Sequence, residues 1–289
     1  GCQTPDKVDL FLEAIETAKN ADQVIMIVGT NSDWETEGND RADFNLPANQ
    51  NKLIESILDV NENTTVVINT GSPIKMPWAK KAKAIIQTWF AGQEYGNALF
   101  DILFGEVNPS GKLPTSFPVS IEDTPAFNCY PGKDLQMNYD EKLLVGYKWY
   151  EKKNIEPLFC FGHGLSYTNF CYENLEVIVK NNHEVSCKFT IKNLGDIAGA
   201  ETAQCYVGFL DPAEEEPNKT LQGFTKIDID ANESKDVEIK LLDRNFSYWS
   251  VDTNTWQIKG GSHEIYIGSS SQNISLKSVI NLEPVLEVL

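Results

Sequence analysis

Apolar and polar positions change rhythm twice along the chain. Up to about residue 107, short apolar runs alternate with stretches of helical period. Residues 23–28 (QVIMIV), 64–69 (TTVVIN) and 84–89 (AIIQTW) have the unbroken apolar character of strands covered on both faces. Between and around them, Phe11, Ile15 and Ala18 recur at helical spacing, behind a Thr4 N-cap and a Pro5 at the first helical position. Leu53, Ile54, Ile57 and Leu58 mark one face of a second helix. Residues 93–104 form a third, with Ala98, Leu99, Ile102 and Leu103 on one side and Gly105 as its stop signal. Strands alternating with helices predict a parallel sheet with helices on both faces, a three-layer α/β/α sandwich. Such sheets bind ligands at the carboxyl ends of their strands, so the long charged loop after QVIMIV is where function is expected.

Residues 108–170 are irregular and carry Pro109, Pro114, Pro118, Pro125, Pro131 and Pro157. From residue 171 the period becomes two. Leu175, Val177 and Val179 alternate before a polar break at Asn181 and Asn182. Val185, Cys187, Phe189 and Ile191 follow, then Cys205, Val207 and Phe209, then Val237, Ile239 and Leu241, then Ile265 and Ile267. Short alternating strands separated by turn residues predict a β-sandwich. The expected fold class is α/β followed by all-β. The expected division is an α/β domain over 1–125, a connector packed on it over 126–170, and a β-sandwich over 171–289.

Composition narrows the function classes. The 42 acidic and 24 basic residues give a net charge of −18, which argues against a nucleic-acid partner and against an anionic membrane surface. No run approaches the roughly 18 apolar residues of a membrane span. Six cysteines lack any CxxC pair, and with three histidines they give no reason to expect zinc or any other metal. Their pairing is left open. Sequons at Asn63, Asn218, Asn232, Asn245 and Asn273 point to a secreted, extracellular glycoprotein, periplasmic if bacterial. The chain starts at Gly1 with no visible leader, which is the expectation for a piece of a longer protein.

The candidate chemistry lies in residues 31–50, NSDWETEGNDRADFNLPANQ. Asp33, Glu35, Glu37, Asp40 and Asp43 crowd one loop, and like charges in proximity raise one another's pKa. A carboxylic acid held protonated near neutrality is a general acid. Trp34 offers a flat apolar face for a sugar ring. The competing expectation is a solvated acidic loop or a calcium loop, although the D-x-D-x-D-G order is missing. No GxGxxG, GxxxxGK[ST] or GxSxG occurs, which counts against nucleotide binding and a serine nucleophile.

Four ordered segments carry a resemblance. VGTNSDWETEGNDRADFNLPANQ resembles the E-G-x-D-R-x-x-x-x-L-P-x-x-Q stretch of glycoside hydrolase family 3, the β-glucosidase family. Residues 88–118, TWFAGQEYGNALFDILFGEVNPSGKLPTSFP, resemble its G-x-E-x-G-N-A…NPSGKLP-x-SFP block. VGYKWYE at 145–151 and FCFGHGLSYTNF at 159–170 resemble two more, with Cys160 where proline is usual. The C-terminal part is similar to the family's fibronectin type III-like domain.

The resemblance implies a retaining exo-β-glucosidase that needs no cofactor and acts on a β-glucoside or oligosaccharide. It implies an Asp nucleophile on an N-terminal (β/α)8 barrel segment outside this chain, so that the chain alone is inactive. It implies an acid/base Glu on the acidic loop, with Glu37 first and Glu35 second. Trp34 would wall the aglycone side, while Asp40 and Arg41 would hold the loop by an ion pair or reach a substrate hydroxyl. His163 and Glu94 are expected to be structural, and Trp78 and Trp89 to be core. The alternative is a non-catalytic carbohydrate-binding or structural module of the same fold.

Overall fold

A computed structural model of the chain describes residues 8–38, 40–41, 43–180 and 184–288. Cys2, the helix start at Thr4 and Pro5, and the break at Asn181 and Asn182 lie outside the described residues. Two compact units divide the chain. One comprises the described part of Gly1–Leu103 with Pro118–Ile121, and the other Phe104–Phe117 with Glu122–Leu289.

The first unit runs α1 (Val8–Lys19), β1 (Val24–Gly29), α2 (Gln50–Val60), β2 (Thr64–Asn69), β3 (Ala84–Gln87) and α3 (Tyr95–Leu103). The strands pair in parallel in the order β1-β2-β3, with Val24 opposite Thr64 and Thr65 opposite Ala84. The predicted third strand ends two residues early, because Thr88 turns to donate both its N–H and its hydroxyl to the Ile68 carbonyl. Val66, Val67 and Ile68 of β2 are fully buried, as the central position demands. Asn61, just past α2, donates to the Ala18 and Ala21 carbonyls at 2.9 and 2.8 Å, satisfying the open end of α1. Trp78 is fully buried and donates to Asn51 at 2.9 Å, the core role expected of it.

The second unit contains α4 (Tyr147–Lys153), then β4 (Phe170–Lys180), β5 (Glu184–Asn193), β6 (Gly199–Phe209), β7 (Thr220–Ile229), β8 (Ser234–Leu242), β9 (Ser247–Ser250), β10 (Thr255–Ile258), β11 (Gly261–Gly268), β12 (Ile274–Leu282) and β13 (Val285–Val288). Sheets β4-β5-β8 and β12-β11-β6-β7 are antiparallel and enclose one core, while β13-β10-β9 forms a small third sheet. The alternating residues read from the sequence are the ones that face inward: Val185, Cys187, Phe189 and Ile191 from β5, Cys205 and Val207 from β6, Ile265 and Ile267 from β11. The α/β-then-all-β class holds.

The outer side of β6 is not left to water. Tyr206 is fully buried with its ring at 5.8 Å from Tyr147 of α4, and Tyr147 stacks on Phe161 at 4.8 Å. Gln204 donates to the Gly162 carbonyl. The irregular stretch is thus tied to the sandwich. Residues 111–117 run against 158–164 through Leu113 N–H to His163 O, Gly162 N–H to Leu113 O and Phe117 N–H to Phe159 O, each 2.8 Å. A side chain on Gly164 would lie 2.1 Å from the Gly111 carbonyl, so the two backbones touch there. His163 stacks on Phe159, and burial, with Lys112 nearby, lowers its pKa, a structural environment.

His263 on β11 sits between Phe209 and Phe246, almost fully buried. Burial holds its pKa below the usual 6.5, aided by Lys259 and opposed by the Gly261 carbonyl. Below pH 6.5 the unfolded chain therefore binds protons that the fold refuses, and stability falls with acidity through that window. The urea midpoint should drop between about pH 7.5 and about pH 5.5, and His263→Gln should flatten that slope. An unchanged slope in the variant would exclude His263 as its source.

Candidate active site

β1 brings the chain to Gly29, where a Cβ would lie 2.1 Å from the Asn69 carbonyl of β2. Only glycine fits at this end of the ladder. Gln50, the first residue of α2, grips the same glycine from the other side. Its Nε2 donates to Gly29 O at 3.0 Å and its Oε1 accepts from Gly29 N–H at 2.9 Å. The glutamine that closes the LPANQ motif thereby fixes both ends of the acidic loop to one point.

Within the loop, Glu35 turns inward. Its Oε1 accepts from Thr30 Oγ1 at 2.8 Å and Ser72 Oγ at 3.3 Å, and its Oε2 from Gly71 N–H at 2.9 Å. Arg41 lies 3.6 Å from the same carboxylate and donates to the Pro73 carbonyl at 3.2 Å. The side chains of Glu35 and Arg41 are 14% and 20% exposed. The ion pair expected between Asp40 and Arg41 is thus made by Glu35 instead. Asp40 is exposed, while Glu35 points inward toward the guanidinium.

The remaining acids go the other way. Asp33, Glu37, Asp40 and Asp43 are exposed. Asp33 meets Asn31, and Asp43 caps the Asn45 N–H at 2.8 Å. Glu37 stands in a turn beside Gly38, whose φ of 86° suits glycine. The expected crowding of carboxylates therefore resolves into one buried anchor and several solvated groups. Among the described residues no cluster of three His, Cys, Asp or Glu side chains is placed to hold a metal. Trp34 is half-buried, and its indole N–H is buried with no hydrogen-bond partner among the described residues.

Phe90 follows β3 as Glu35 follows β1 and Gly71 follows β2. A methyl placed on Gly71 would meet Glu35 Oε2 at 2.3 Å and Phe90 Cε2 at 2.8 Å, so the missing side chain of Gly71 is what lets carboxylate and ring close together. Phe90 is 54% exposed, and Trp89 before it takes a left-handed φ of 54°, an uncommon strain for a bulky residue. Thr30, Gln50, Gly71, Ser72 and Phe90 are site residues that the sequence reading does not single out. Their common signal is position, since four of the five come just after a parallel strand and Gln50 answers β1 from the next helix.

A parallel α/β unit with a clamped acidic loop at its strand ends is thus followed along the chain by an antiparallel β-sandwich. Residues 6–167 match the Glycosyl hydrolase family 3 C-terminal domain, and residues 201–271 match the Fibronectin type III-like domain. The chain belongs to glycosyl hydrolase family 3. It is 40% identical over 283 residues to thermostable beta-glucosidase B of Acetivibrio thermocellus, covering 97% of this chain and 38% of that protein. The beta-glucosidase of Kluyveromyces marxianus, solved in complex with glucose, superposes with a TM-score of 0.93 at 35% identity, over 98% of this chain and 34% of that one. The GH3 beta-glucosidase of Bifidobacterium adolescentis gives a TM-score of 0.94 at 36% identity, over 99% of this chain and 43% of that one. The chain thus spans well under half the length of these relatives.

Gly71→Ala should push Glu35 off its anchor, lowering stability by about 1–3 kcal/mol. Hydrogen exchange of residues 30–41 measures it. Amides of that loop should exchange faster in the variant, whereas unchanged protection would show that the clamp does not hold the loop.

Proposed function

We propose that this chain is the C-terminal portion of a retaining exo-β-glucosidase that removes terminal non-reducing β-D-glucosyl units, with Glu37 as its acid/base. One observation carries the choice of Glu37. The loop is fastened on both sides, yet Glu37 itself is exposed and has no partner among the described residues, while both oxygens of Glu35 are occupied as acceptors. A proton donor needs an oxygen open to meet the leaving group, and Glu37 is the more open of the two while Glu35 is held by three donors. Glu35 and Arg41 are then the residues that position the loop.

Double displacement needs a second carboxylate about 5–5.5 Å away across the scissile bond. In this reading an Asp of the N-terminal barrel segment attacks the anomeric carbon while Glu37 protonates the departing oxygen. Glu37, now a carboxylate, takes a proton from water as that water attacks the glycosyl-enzyme. Trp34, Phe90 and Asp40 border the loop where the aglycone would leave. The glucose complex of the Kluyveromyces relative supports glucose as the sugar.

A second feature supports a missing covering segment. Ile25 and Ile27 of β1 are 43% and 57% exposed on one face of an edge strand, although parallel sheets are ordinarily covered on both faces. The barrel-bearing part of the enzyme would supply that cover. Secretion and N-glycosylation belong to the same reading, supported by sequons at Asn63, Asn232 and Asn273 on exposed positions.

In the enzyme containing the barrel segment, Glu37→Gln should lower kcat about 100- to 10,000-fold on alkyl glucosides, whose leaving oxygen must be protonated. The loss should be much smaller in the glycosylation step for nitrophenyl glucosides, whose leaving group departs as the anion. Glu35→Gln should lose rate equally on both. The reverse pattern would transfer the role to Glu35. Near-full activity in both variants would favour the non-catalytic module, and aryl-glucoside hydrolysis by the 289-residue chain alone would refute the division of labour.

A further inference from the structure

Strands β5 and β6 lie in opposite sheets of the sandwich, and each carries a fully buried cysteine at its centre, Cys187 and Cys205. Cys187 is paired in register with Ile239 of β8, and Cys205 with Gly223 of β7. Those two register partners meet across the interior, since a Cβ on Gly223 would lie 2.7 Å from Ile239 Cγ2. The two cysteines therefore occupy one level of the core, on facing sheets. Each thiol perturbs the other: Cys205 beside it lowers the Cys187 pKa, while Cys187 and burial raise that of Cys205.

At that level Gly223 is the smallest residue, and Val177, Ile239 and Ile267 are the larger register partners of the two cysteines. A disulfide requires Cα atoms about 4.4–6.8 Å apart, nearer than the usual sheet spacing of about 10 Å. Closing the bond therefore requires β5 and β6 to approach more closely than that spacing, for which the missing side chain of Gly223 beside Cys205 leaves room. No catalytic step of the proposed function uses these thiols.

We infer that Cys187 and Cys205 are a modification site that closes into an inter-sheet disulfide when the chain folds in the presence of a glutathione-type disulfide. The Cys187 thiolate attacks one sulfur of glutathione disulfide, forming a mixed disulfide and releasing one glutathione. Cys205, deprotonated, then attacks the Cys187 sulfur of that mixed bond and displaces the second glutathione. Two protein thiols lose two electrons and two protons, and one glutathione disulfide becomes two glutathiones. The bond forms before the sheets close or during their partial opening, because the folded core admits no glutathione. The inference is independent of which glutamate acts as acid/base.

The test uses the full 289-residue chain, made in a reducing compartment and again with export to an oxidising one. Unreduced peptide mapping of the exported chain should find Cys187 joined to Cys205, with the loss of two hydrogen masses. The urea midpoint should rise with the bond, return on reduction, and show no such rise in Cys187→Ala. If export prevents folding, the reduced native chain is held in glutathione redox buffer at urea below its midpoint and mapped in the same way. Alkylation of both thiols in either folded, oxidised sample, or a link from either one to Cys129, Cys160 or Cys171, would overturn the inference. So would a Cys187–Cys205 link found only in chains whose circular dichroism is no longer native.

Discussion

The carboxylate of Glu35 is the contact on which the arrangement of the candidate site depends. It reaches back to Thr30 at the end of β1 and across to Gly71 and Ser72 at the end of β2, with Arg41 behind it. A polar loop of this length between strand and helix has no apolar side to bury, so its shape must come from such bonds. Each bond reaches a residue that follows a parallel strand, and the sheet's rigidity passes directly into the loop. The space left by Gly71 is part of the same device, because any side chain there would occupy the position of the carboxylate.

Two glutamates two residues apart differ sharply in their surroundings. Backbone direction sends Glu35 toward the strand ends and Glu37 toward solvent. A carboxylate held by three donors beside a guanidinium fixes geometry well, while a solvated one next to a glycine turn is open to solvent. Chemistry placed on a loop needs both kinds of residue, one to hold and one to act. Gln50 adds a second fastening at Gly29, which leaves the loop little freedom at either end.

The second unit obeys a different logic. Its core is made by two antiparallel sheets, but β6 is buried on both sides, with the irregular stretch around Tyr147 and Phe161 covering its outer face. The proline-rich region, which looks like a linker by composition, is held by backbone bonds between 111–117 and 158–164. The Glu201 carboxylate, 5% exposed, receives the Lys112 ammonium and the Tyr172 hydroxyl, so a charge from the irregular stretch is neutralised against the sandwich. Such a buried pair contributes to specifying one arrangement more than to net stability.

Local sequence determined the elements. The apolar runs of β1 and β2, the helical spacing of Ile54, Ile57 and Leu58, and the period-two alternation from Val185 to Ile191 follow from side-chain geometry over a few residues, and the fold class follows from their order. It also located the acidic loop, since ligand sites in parallel sheets lie beyond the strand ends. It could not say which acid turns inward, because that depends on contacts between residues 35 and 71, far apart in the chain. Nor could it assign Gly71, Phe90 or Gln50 to the site, or place Cys187 and Cys205 at one level of the core. Those are outcomes of strand order and sheet packing, and only the tertiary structure, which decides what stands opposite what, contains them.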